Sequence, residues 1–237
     1  MTEPFFKFPR TPHLFWSGAS APRGDKVLGS PEVSVLLRRS VSVEEKVDGA
    51  NVGFSVGPAG RLRAQSRGHY LEPGTAGQWQ PLWRWLVLRE VQLADALGSS
   101  LILFGEWCYA EHSVAYDALP DWLLVIDVYD RIEERFWSRE RRDDFARQVG
   151  LAVVPLLGQG VYTRDSLRPL MGPSRLGSTS AEGIYLRWDD DGWLLARAKI
   201  VRPGWVMATD EHWSSRPLKK NLLAHPVVPG AASRRAE

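Results

Sequence analysis

The sequence is poor in two reactive residue types, cysteine and lysine. It contains one cysteine, Cys108, so no disulfide can form within the chain. It contains six lysines against twenty-four arginines, so most of its cations are guanidinium groups, which keep their proton in proteins. A lysine can become a neutral, nucleophilic amine. The few lysines are therefore the first candidates for chemistry.

The sequence also lacks long apolar runs and a strong excess of either charge. No run approaches the roughly 18 apolar residues of a membrane-spanning helix, and the start MTEPFFKFPR resembles neither a signal nor a transit peptide. We therefore expect a soluble, cytoplasmic protein with no membrane partner. A net charge of +2 gives little support for a nucleic-acid partner, although arginines cluster in RRSVS, RLRAQSRG and RERRDDFAR. On charge alone, the favoured interpretation is that arginine is simply the usual surface cation of this chain.

The organisation of the chain predicts one domain over residues 1–237, because 44% hydrophobic content can fill a sizeable core. Residues 1–40 are rich in proline, glycine and serine and are predicted to form an irregular lead-in. Alternating apolar residues from Val41 to Ala64 predict three strands in an antiparallel meander. Residues 80–97 have the apolar spacing of one helix that stops at Gly98.

The second half of the chain alternates strands with a helix. The apolar runs LILFGEW and DWLLVIDVYD predict central strands. SRERRDDFARQVG predicts a helix with Ser138 as N-cap and Gly150 beyond its end. EGIYLRWDDDGWLLARAKIVR predicts a hairpin around DDDG. Strands joined by short turns and interrupted by two or three helices indicate an α+β domain with antiparallel sheets flanked by helices.

The stretch EKVDGANVGF places Lys46 at the end of a predicted strand. A neutral amine that faces a cleft there can attack a phosphorus atom, but a free lysine is protonated at neutral pH. Burial and neighbouring cations both lower the pKa of a lysine. Arg197 and Lys199 lie on one face of the last predicted strand, because side chains alternate with period two. We therefore expect these cations to lower the pKa of Lys46, and Asp48 to project toward the same side.

KVDG, residues 46–49, resembles the first motif, Lys-x-Asp-Gly, of the covalent nucleotidyltransferases, which include polynucleotide ligases and mRNA capping enzymes. Alone this motif is only moderately specific. Five later stretches resemble the later motifs of the superfamily and occur in the same order: SRG, FGEW, LLVIDVYD, EGIYLR and LARAKIVRPGW. Together the matches cover Val41 to Trp205. The resemblance implies a nucleotidyltransferase domain, the ATP-grasp-like adenylation domain of ligases.

Asn51, in DGAN, lies two positions after the glycine of the first motif. An asparagine at this position is similar to the pattern of RNA ligases, whereas DNA ligases and capping enzymes usually carry a basic residue there. AKIVRPGW also resembles the end of the catalytic domain in the nick-sealing phage RNA ligase and the trypanosome editing ligases. Few residues follow, too few for a five-stranded OB barrel. We expect residues 206–237 to be a short C-terminal extension without an OB-fold.

The resemblance implies an ATP-dependent RNA ligase with three steps. Lys46 takes AMP from ATP, AMP passes to an RNA 5′-phosphate, and an RNA 3′-hydroxyl then displaces AMP. Mg²⁺ or Mn²⁺ is the expected metal, and RNA ends, including those at a nicked duplex, are the expected partners, with a separate RNA-repair protein in place of the missing domain. Alternatives are a DNA nick ligase, a GTP-dependent capping-type enzyme and a non-catalytic module that binds nucleotides or RNA ends.

The resemblance also implies roles for individual residues. The expected catalytic residues are Lys46, Asp48, Glu182, Arg197 and Lys199. The expected nucleotide-binding residues are Glu45, Asn51, Arg67, Glu106, Ile126 and Tyr185. Asp48 and Glu182 are also expected to hold the metal, through water. Each has an ordinary alternative, such as a turn-capping aspartate, a salt-bridged glutamate or a hairpin-edge arginine.

Two positions depart from the family pattern. Arg197 stands where the family usually has the first of two lysines, which leaves its contact open. Ile126 stands where similar ligases place an aromatic residue that stacks on adenine. Tyr185 occupies a place that is often aliphatic, so we predict that Ile126 and Tyr185 enclose the adenine from opposite faces.

Overall fold

The computed structural model describes residues 4–16, 26–202 and 217–224. The α-helices are α1 (Ser30–Leu37), α2 (Gln80–Val87), α3 (Glu90–Leu97), α4 (Arg139–Gln148) and α5 (Arg164–Leu167). The strands are β1 (Val41–Lys46), β2 (Ala50–Val56), β3 (Leu62–Ser66), β4 (Leu101–Trp107), β5 (Leu123–Asp130), β6 (Arg135–Phe136), β7 (Ala152–Val153), β8 (Leu156–Gly160), β9 (Gly183–Asp190) and β10 (Trp193–Val201). Within these ranges, none of the helices has the length and hydrophobicity that crossing a membrane requires.

The strands form two sheets. Sheet A has the order β10-β9-β1-β8, and sheet B has the order β3-β2-β4-β5-β6, with β7 added parallel to β5. All other pairs are antiparallel. The predicted α+β class with antiparallel sheets and flanking helices is confirmed. The predicted central position of β4 and β5 in their sheet is also confirmed.

The predicted meander is wrong, because β1 and β2 belong to different sheets. β1 pairs with β8 and β9, whereas β2 pairs with β3 and β4. The chain crosses between the sheets at residues 47–49. Gly49 lies so close to β4 that an added Cβ would come within 2.7 Å of the Trp107 carbonyl oxygen. This crossing places Lys46, the last residue of β1, at the junction of the two sheets.

Two helix predictions also need correction. Residues 80–97 form two helices, α2 and α3, separated at Leu88 and Arg89. Val87 and Val91 are consequently 71% and 74% exposed instead of lying on the buried face. The lead-in predicted as irregular contains α1, which buries Val33. The single-domain assignment stays a prediction, and most of residues 206–237 lie outside the described ranges.

Other local predictions are confirmed. The Ser138 hydroxyl caps α4 by accepting a hydrogen bond from the Arg141 backbone N–H. Gly98 and Gly150 follow α3 and α4 with positive φ, the conformation that favours glycine at helix ends. β9 and β10 form the predicted hairpin, and Asp191 and Gly192 at its turn both have positive φ.

The outer faces of both sheets are covered. Helices α2, α3 and α4 pack on one face of sheet B around Phe54, Leu93 and Phe145. Helices α1 and α5 pack on one face of sheet A around Leu36 and Leu167. The inner faces approach each other, with the N-terminal segment packed against Phe104 of β4, and carry most of the polar residues singled out from the sequence.

Candidate active site

A cavity of about 280 Å³ opens between the inner faces of the two sheets. Both sheets and the N-terminal segment contribute to its wall. The lining residues are Phe8, Thr11, Glu44, Glu45, Lys46, Val47, Asn51, Arg67, Glu106, Ile126, Val154, Tyr185 and Lys199. Eight of the eleven residues predicted from the sequence are among them; Asp48, Glu182 and Arg197 are not.

Lys46 lies at the centre of this site, and its Nζ is 2.5 Å from Oε2 of Glu182. The pair forms because Lys46 is opposite Gly183 in the β1–β9 register, so the residue before β9 reaches the end of β1. Gly183 has no side chain to hold β9 away from β10, where a Cβ would collide with the Ile200 carbonyl. This glycine therefore places Glu182 beside the amine.

The pKa of Lys46 is raised, which contradicts the lowered pKa expected from the sequence. Burial acts to lower it, but the charge and hydrogen bond of Glu182 act in the opposite direction, helped by Asp48 and Glu106. Of the two cations expected to favour the neutral amine, Arg197 is paired with Asp127, and the charge of Lys199 acts on Glu182. In the ligand-free protein Lys46 is therefore an ammonium group.

Glu106 is half-buried on β4, directly opposite Asn51 of β2. Burial raises the pKa of Glu106 to about 7; Lys46 partly offsets this, whereas the negative charges of Asp48 and Glu182 add to it. Asn51 Oδ1 is buried without a hydrogen-bond partner in the described part of the chain. These two side chains present oxygen atoms that a ligand can satisfy.

Two of the predicted acidic residues also anchor loops. The Glu45 carboxylate accepts hydrogen bonds from Ser174 Oγ at 2.5 Å and from the Arg175 N–H at 2.7 Å. Asp48 Oδ2 accepts from the Ser113 and Val114 N–H groups at 2.7 and 2.9 Å. Both side chains therefore hold distant loops in place, while their nucleotide and metal contacts stay predictions.

The remaining lining residues lie on the walls and rim. Arg67 is exposed at the rim, directly after β3. Ile126 comes from sheet B and Tyr185 from sheet A, which is compatible with the predicted adenine sandwich. The Tyr185 hydroxyl is 3.1 Å from Thr11 Oγ1. The backbone of Lys199 is held by the N-terminal segment: its N–H donates to the Pro12 carbonyl at 2.9 Å.

Arg197 supports the wall from behind the cavity. Its Nη1 donates to Asp127 Oδ2 at 2.8 Å, and its guanidinium lies over the rings of Phe8 and Phe136 at 4.8 and 4.5 Å. An arginine suits this position better than a lysine, because a planar guanidinium stacks on rings while it binds a carboxylate. A direct catalytic contact of Arg197 stays a prediction.

Sequence reasoning missed a buried ion network beneath the site. Arg142 of α4 is completely buried, donates to both oxygens of Glu44 and donates to the Ile126 carbonyl at 2.8 Å. Arg187 donates to the same carbonyl at 3.3 Å and pairs with Asp127 at 2.5 Å. Nothing in the sequence separates Arg142 from the more exposed arginines of RERRDDFAR. Sequence reasoning also missed the cavity residues Phe8 and Thr11, which lie in the segment predicted to be irregular.

The sequence profile of the RNA ligase family matches residues 39–201. The chain belongs to the RNA ligase family. The matched range contains every residue of the cavity wall except Phe8 and Thr11. No curated protein matches the chain.

Solved structures of the Naegleria gruberi RNA ligase share the fold. The structure with pyrophosphate has a TM-score of 0.61 and 17% identity, covering 76% of this chain and 55% of that one. A mutant with ATP and manganese has a TM-score of 0.57 at 17% identity, covering 78% and 54%. A mutant with AMP and manganese has a TM-score of 0.58 at 17% identity, covering 76% and 55%. This chain therefore spans about half the length of the Naegleria protein.

Proposed function

We propose that this RNA ligase family member joins RNA 3′-hydroxyl and 5′-phosphate ends, using ATP and a covalent lysyl-AMP intermediate on Lys46. The observation that carries the proposal is the Lys46 Nζ, which lies in the cavity between the sheets, 2.5 Å from the Glu182 carboxylate. The amine, Glu106 and the second lysine, Lys199, line the same cavity. The Naegleria ligase mutants that share the fold hold ATP or AMP with manganese.

The proposed orientation of the nucleotide follows from the residues that line the cavity. Adenine lies between Ile126 and Tyr185, the ribose hydroxyls face Glu106 and Asn51, and the α-phosphate lies between Lys46 and Lys199. Support comes from the unpartnered oxygen of Asn51 and from the raised pKa of Glu106, because a ligand hydroxyl satisfies both. Arg67 at the rim is the natural partner of the outer phosphates or of the RNA end.

The first step transfers AMP to the protein. The Lys46 ammonium first loses a proton, for which the acceptor is the Glu182 carboxylate at 2.5 Å. The neutral Nζ then attacks the α-phosphorus, a nitrogen–phosphorus bond forms, and the bond to the pyrophosphate oxygen breaks. Burial raises the pKa of Glu182, which improves it as a proton acceptor. Lys199 stabilises the negative charge that develops on the phosphate.

The second and third steps use the same amine as a leaving group. An oxygen of the RNA 5′-phosphate attacks the phosphorus of lysyl-AMP, and the nitrogen–phosphorus bond breaks as Lys46 regains a proton. The RNA 3′-hydroxyl then attacks the adenylylated 5′-phosphate. A phosphodiester bond forms, and AMP leaves.

The acidic residues fit a hydrated Mg²⁺ or Mn²⁺ ion. Mg²⁺ is usually held by one or two carboxylates together with waters and substrate phosphates. Asp48 and Glu182 supply such carboxylates in this scheme, through water. Within the described ranges no group of three or more potential ligands exists that would form a closed metal cage. When bound, the cation neutralises phosphate charge.

The proposed setting is the cytoplasm, where the enzyme acts on RNA ends, including those at a nick. A separate RNA-repair protein is the proposed partner that adds RNA contacts.

The test is self-adenylylation with α-labelled ATP. After any bound AMP is removed, we expect acid-labile label on the wild type with ATP and not with GTP, none on Lys46→Arg, and full labelling of the control Lys26→Arg, whose side chain is 69% exposed. Sealing of matched RNA and DNA nicks then identifies the acceptor. An unlabelled wild type would indicate a binding module, label with GTP a capping-type enzyme, and preferential sealing of DNA a DNA ligase.

A further inference from the structure

A second groove, of about 620 Å³, lies where β4 and β5 meet helix α2, away from the catalytic cavity. We call it the α2 groove and define it by Arg84, Trp85, Arg89, Tyr109, Trp122 and Lys220. Three of these residues are cations and three are aromatic. None of them belongs to the site already described.

The floor of the α2 groove is aromatic. The rings of Tyr109 and Trp122 are 5.2 Å apart at 71°. The Lys220 Nζ lies 5.5 Å and 5.2 Å from their centroids. Cations interleaved with aromatic rings are characteristic of surfaces that hold single-stranded nucleic acid, because rings stack on bases while cations bind phosphates.

Among the described residues that line the groove, the acid is Asp121, and its charge is neutralised by Arg89, so the groove is positive. Asp121, which is 6% exposed, accepts hydrogen bonds from the Trp85 indole at 2.9 and 3.1 Å and from Arg89 at 3.1 Å. The exposed cations Arg84 and Lys220 therefore set the charge of the groove mouth.

Lys220 lies in a segment that is held against the rest of the protein by its neighbour, Asn221. Asn221 is 2% exposed, and its amide donates to the Cys108 carbonyl at 2.8 Å and the Ala110 carbonyl at 3.2 Å. Its side-chain oxygen accepts from the Tyr116 N–H at 2.8 Å. This segment follows the range matched by the family profile, so it adds a groove residue that the family motifs do not contain.

The groove residues are close in sequence to residues of the catalytic cavity. Tyr109 follows Glu106 by three residues, just after the end of β4, and Trp122 precedes Ile126 by four residues, just before β5. The groove therefore adjoins the ends of two strands that carry cavity residues.

We propose that the α2 groove binds the RNA strand next to the end being sealed, with phosphates on Arg84 and Lys220 and a base against Tyr109 and Trp122. The inference rests on the proposed function. It deepens that function by naming where the substrate lies outside the catalytic cavity.

The experiment compares Arg84→Ala/Lys220→Ala with Arg147→Ala/Arg168→Ala, which removes the same charge from two exposed, ion-paired arginines elsewhere. Binding of a labelled single-stranded RNA is measured without ATP over a range of salt concentrations. We expect the groove variant to bind about tenfold more weakly and its log–log salt slope to fall by about 1.4, since each phosphate contact on a single strand contributes about 0.7. The control variant keeps both values.

Self-adenylylation separates this proposal from the proposed function. The groove variant is expected to label at the wild-type rate, because neither changed residue lines the catalytic cavity. An RNA dissociation constant and salt slope equal to wild type would overturn the groove proposal, even if labelling succeeds. Preferential binding of an acidic peptide over RNA would also overturn it. A wild type that binds RNA through the groove but never labels overturns the ligase assignment alone.

Discussion

Replacing Arg142 with methionine tests whether the buried ion network holds the nucleotide pocket together. Arg142 is completely buried, and Glu44, its partner through both carboxylate oxygens, is 2% exposed. Arg142 Nη1 also donates a hydrogen bond to the Ile126 carbonyl oxygen at 2.8 Å. It therefore connects α4 to β1 of sheet A and β5 of sheet B. These two strands carry four of the cavity residues, Glu44, Glu45, Lys46 and Ile126.

The expected loss of stability follows from this burial. Methionine keeps the apolar stem of Arg142 but leaves the Glu44 carboxylate buried without its counter-charge, which typically costs about 3–5 kcal/mol. For a protein of this size about 1 kcal/mol corresponds to roughly 2–4 °C in Tm, so Arg142→Met is expected to lower Tm by about 6–20 °C. Because Glu44 and Ile126 line the cavity, ATP binding is expected to weaken as well.

Thermal unfolding followed by circular dichroism gives the measurement. Arg147→Met is the matched control on the same helix, since Arg147 is 74% exposed and pairs only with Asp144; exposed pairs contribute less than about 1 kcal/mol. The double variant Glu44→Leu/Arg142→Met removes both charges and is expected to recover much of the loss. A Tm for Arg142→Met within about 2 °C of wild type would refute the argument. So would a double variant no more stable than the single one.

Two further predictions concern single residues of the catalytic site. Because the pKa of Glu106 is raised from 4.5 to about 7, its contribution to stability is complete at low pH and is lost as pH rises through 7. Glu106→Gln should therefore raise Tm more at about pH 8 than at about pH 5, and equal changes at both would contradict the shifted pKa. Gly183→Ala should destabilise the protein and abolish labelling of Lys46, because its Cβ would collide with the Ile200 carbonyl, whereas Gly68→Ala enters open space and should change neither. A well-folded, fully labelled Gly183→Ala would show that β9 and β10 can separate without cost.

The order of the sequence motifs was enough to predict that several residues distant in sequence lie close together. Lys46, Glu106, Tyr185 and Lys199 all line the same cavity. The N-cap at Ser138 and the β9–β10 hairpin could also be predicted from the sequence, because each depends on residues that are adjacent in the chain.

Features that depend on contacts between residues far apart in the sequence could not be predicted from it. Alternation of apolar residues is the same whether β1 and β2 share a sheet or lie in two facing sheets, so the meander was predicted wrongly. The apolar spacing of α2 and α3 likewise did not reveal the break at Leu88 and Arg89. The sign of the Lys46 pKa shift depends on which charges lie nearest in space. Sequence spacing indicated Arg197 and Lys199, whereas the structure brings Glu182 closest.

The charge balance of the site explains why the proposed reaction needs a cation. Three carboxylates, Asp48, Glu106 and Glu182, influence one lysine, so the ligand-free site is acidic and keeps Lys46 protonated. ATP adds further negative charge, and its binding is unfavourable unless positive charge accompanies it. Partial protonation of Glu106, with its pKa near 7, relieves some of this repulsion at neutral pH. A divalent cation held near Glu182 would relieve the rest and would weaken the interaction that keeps the proton on Lys46.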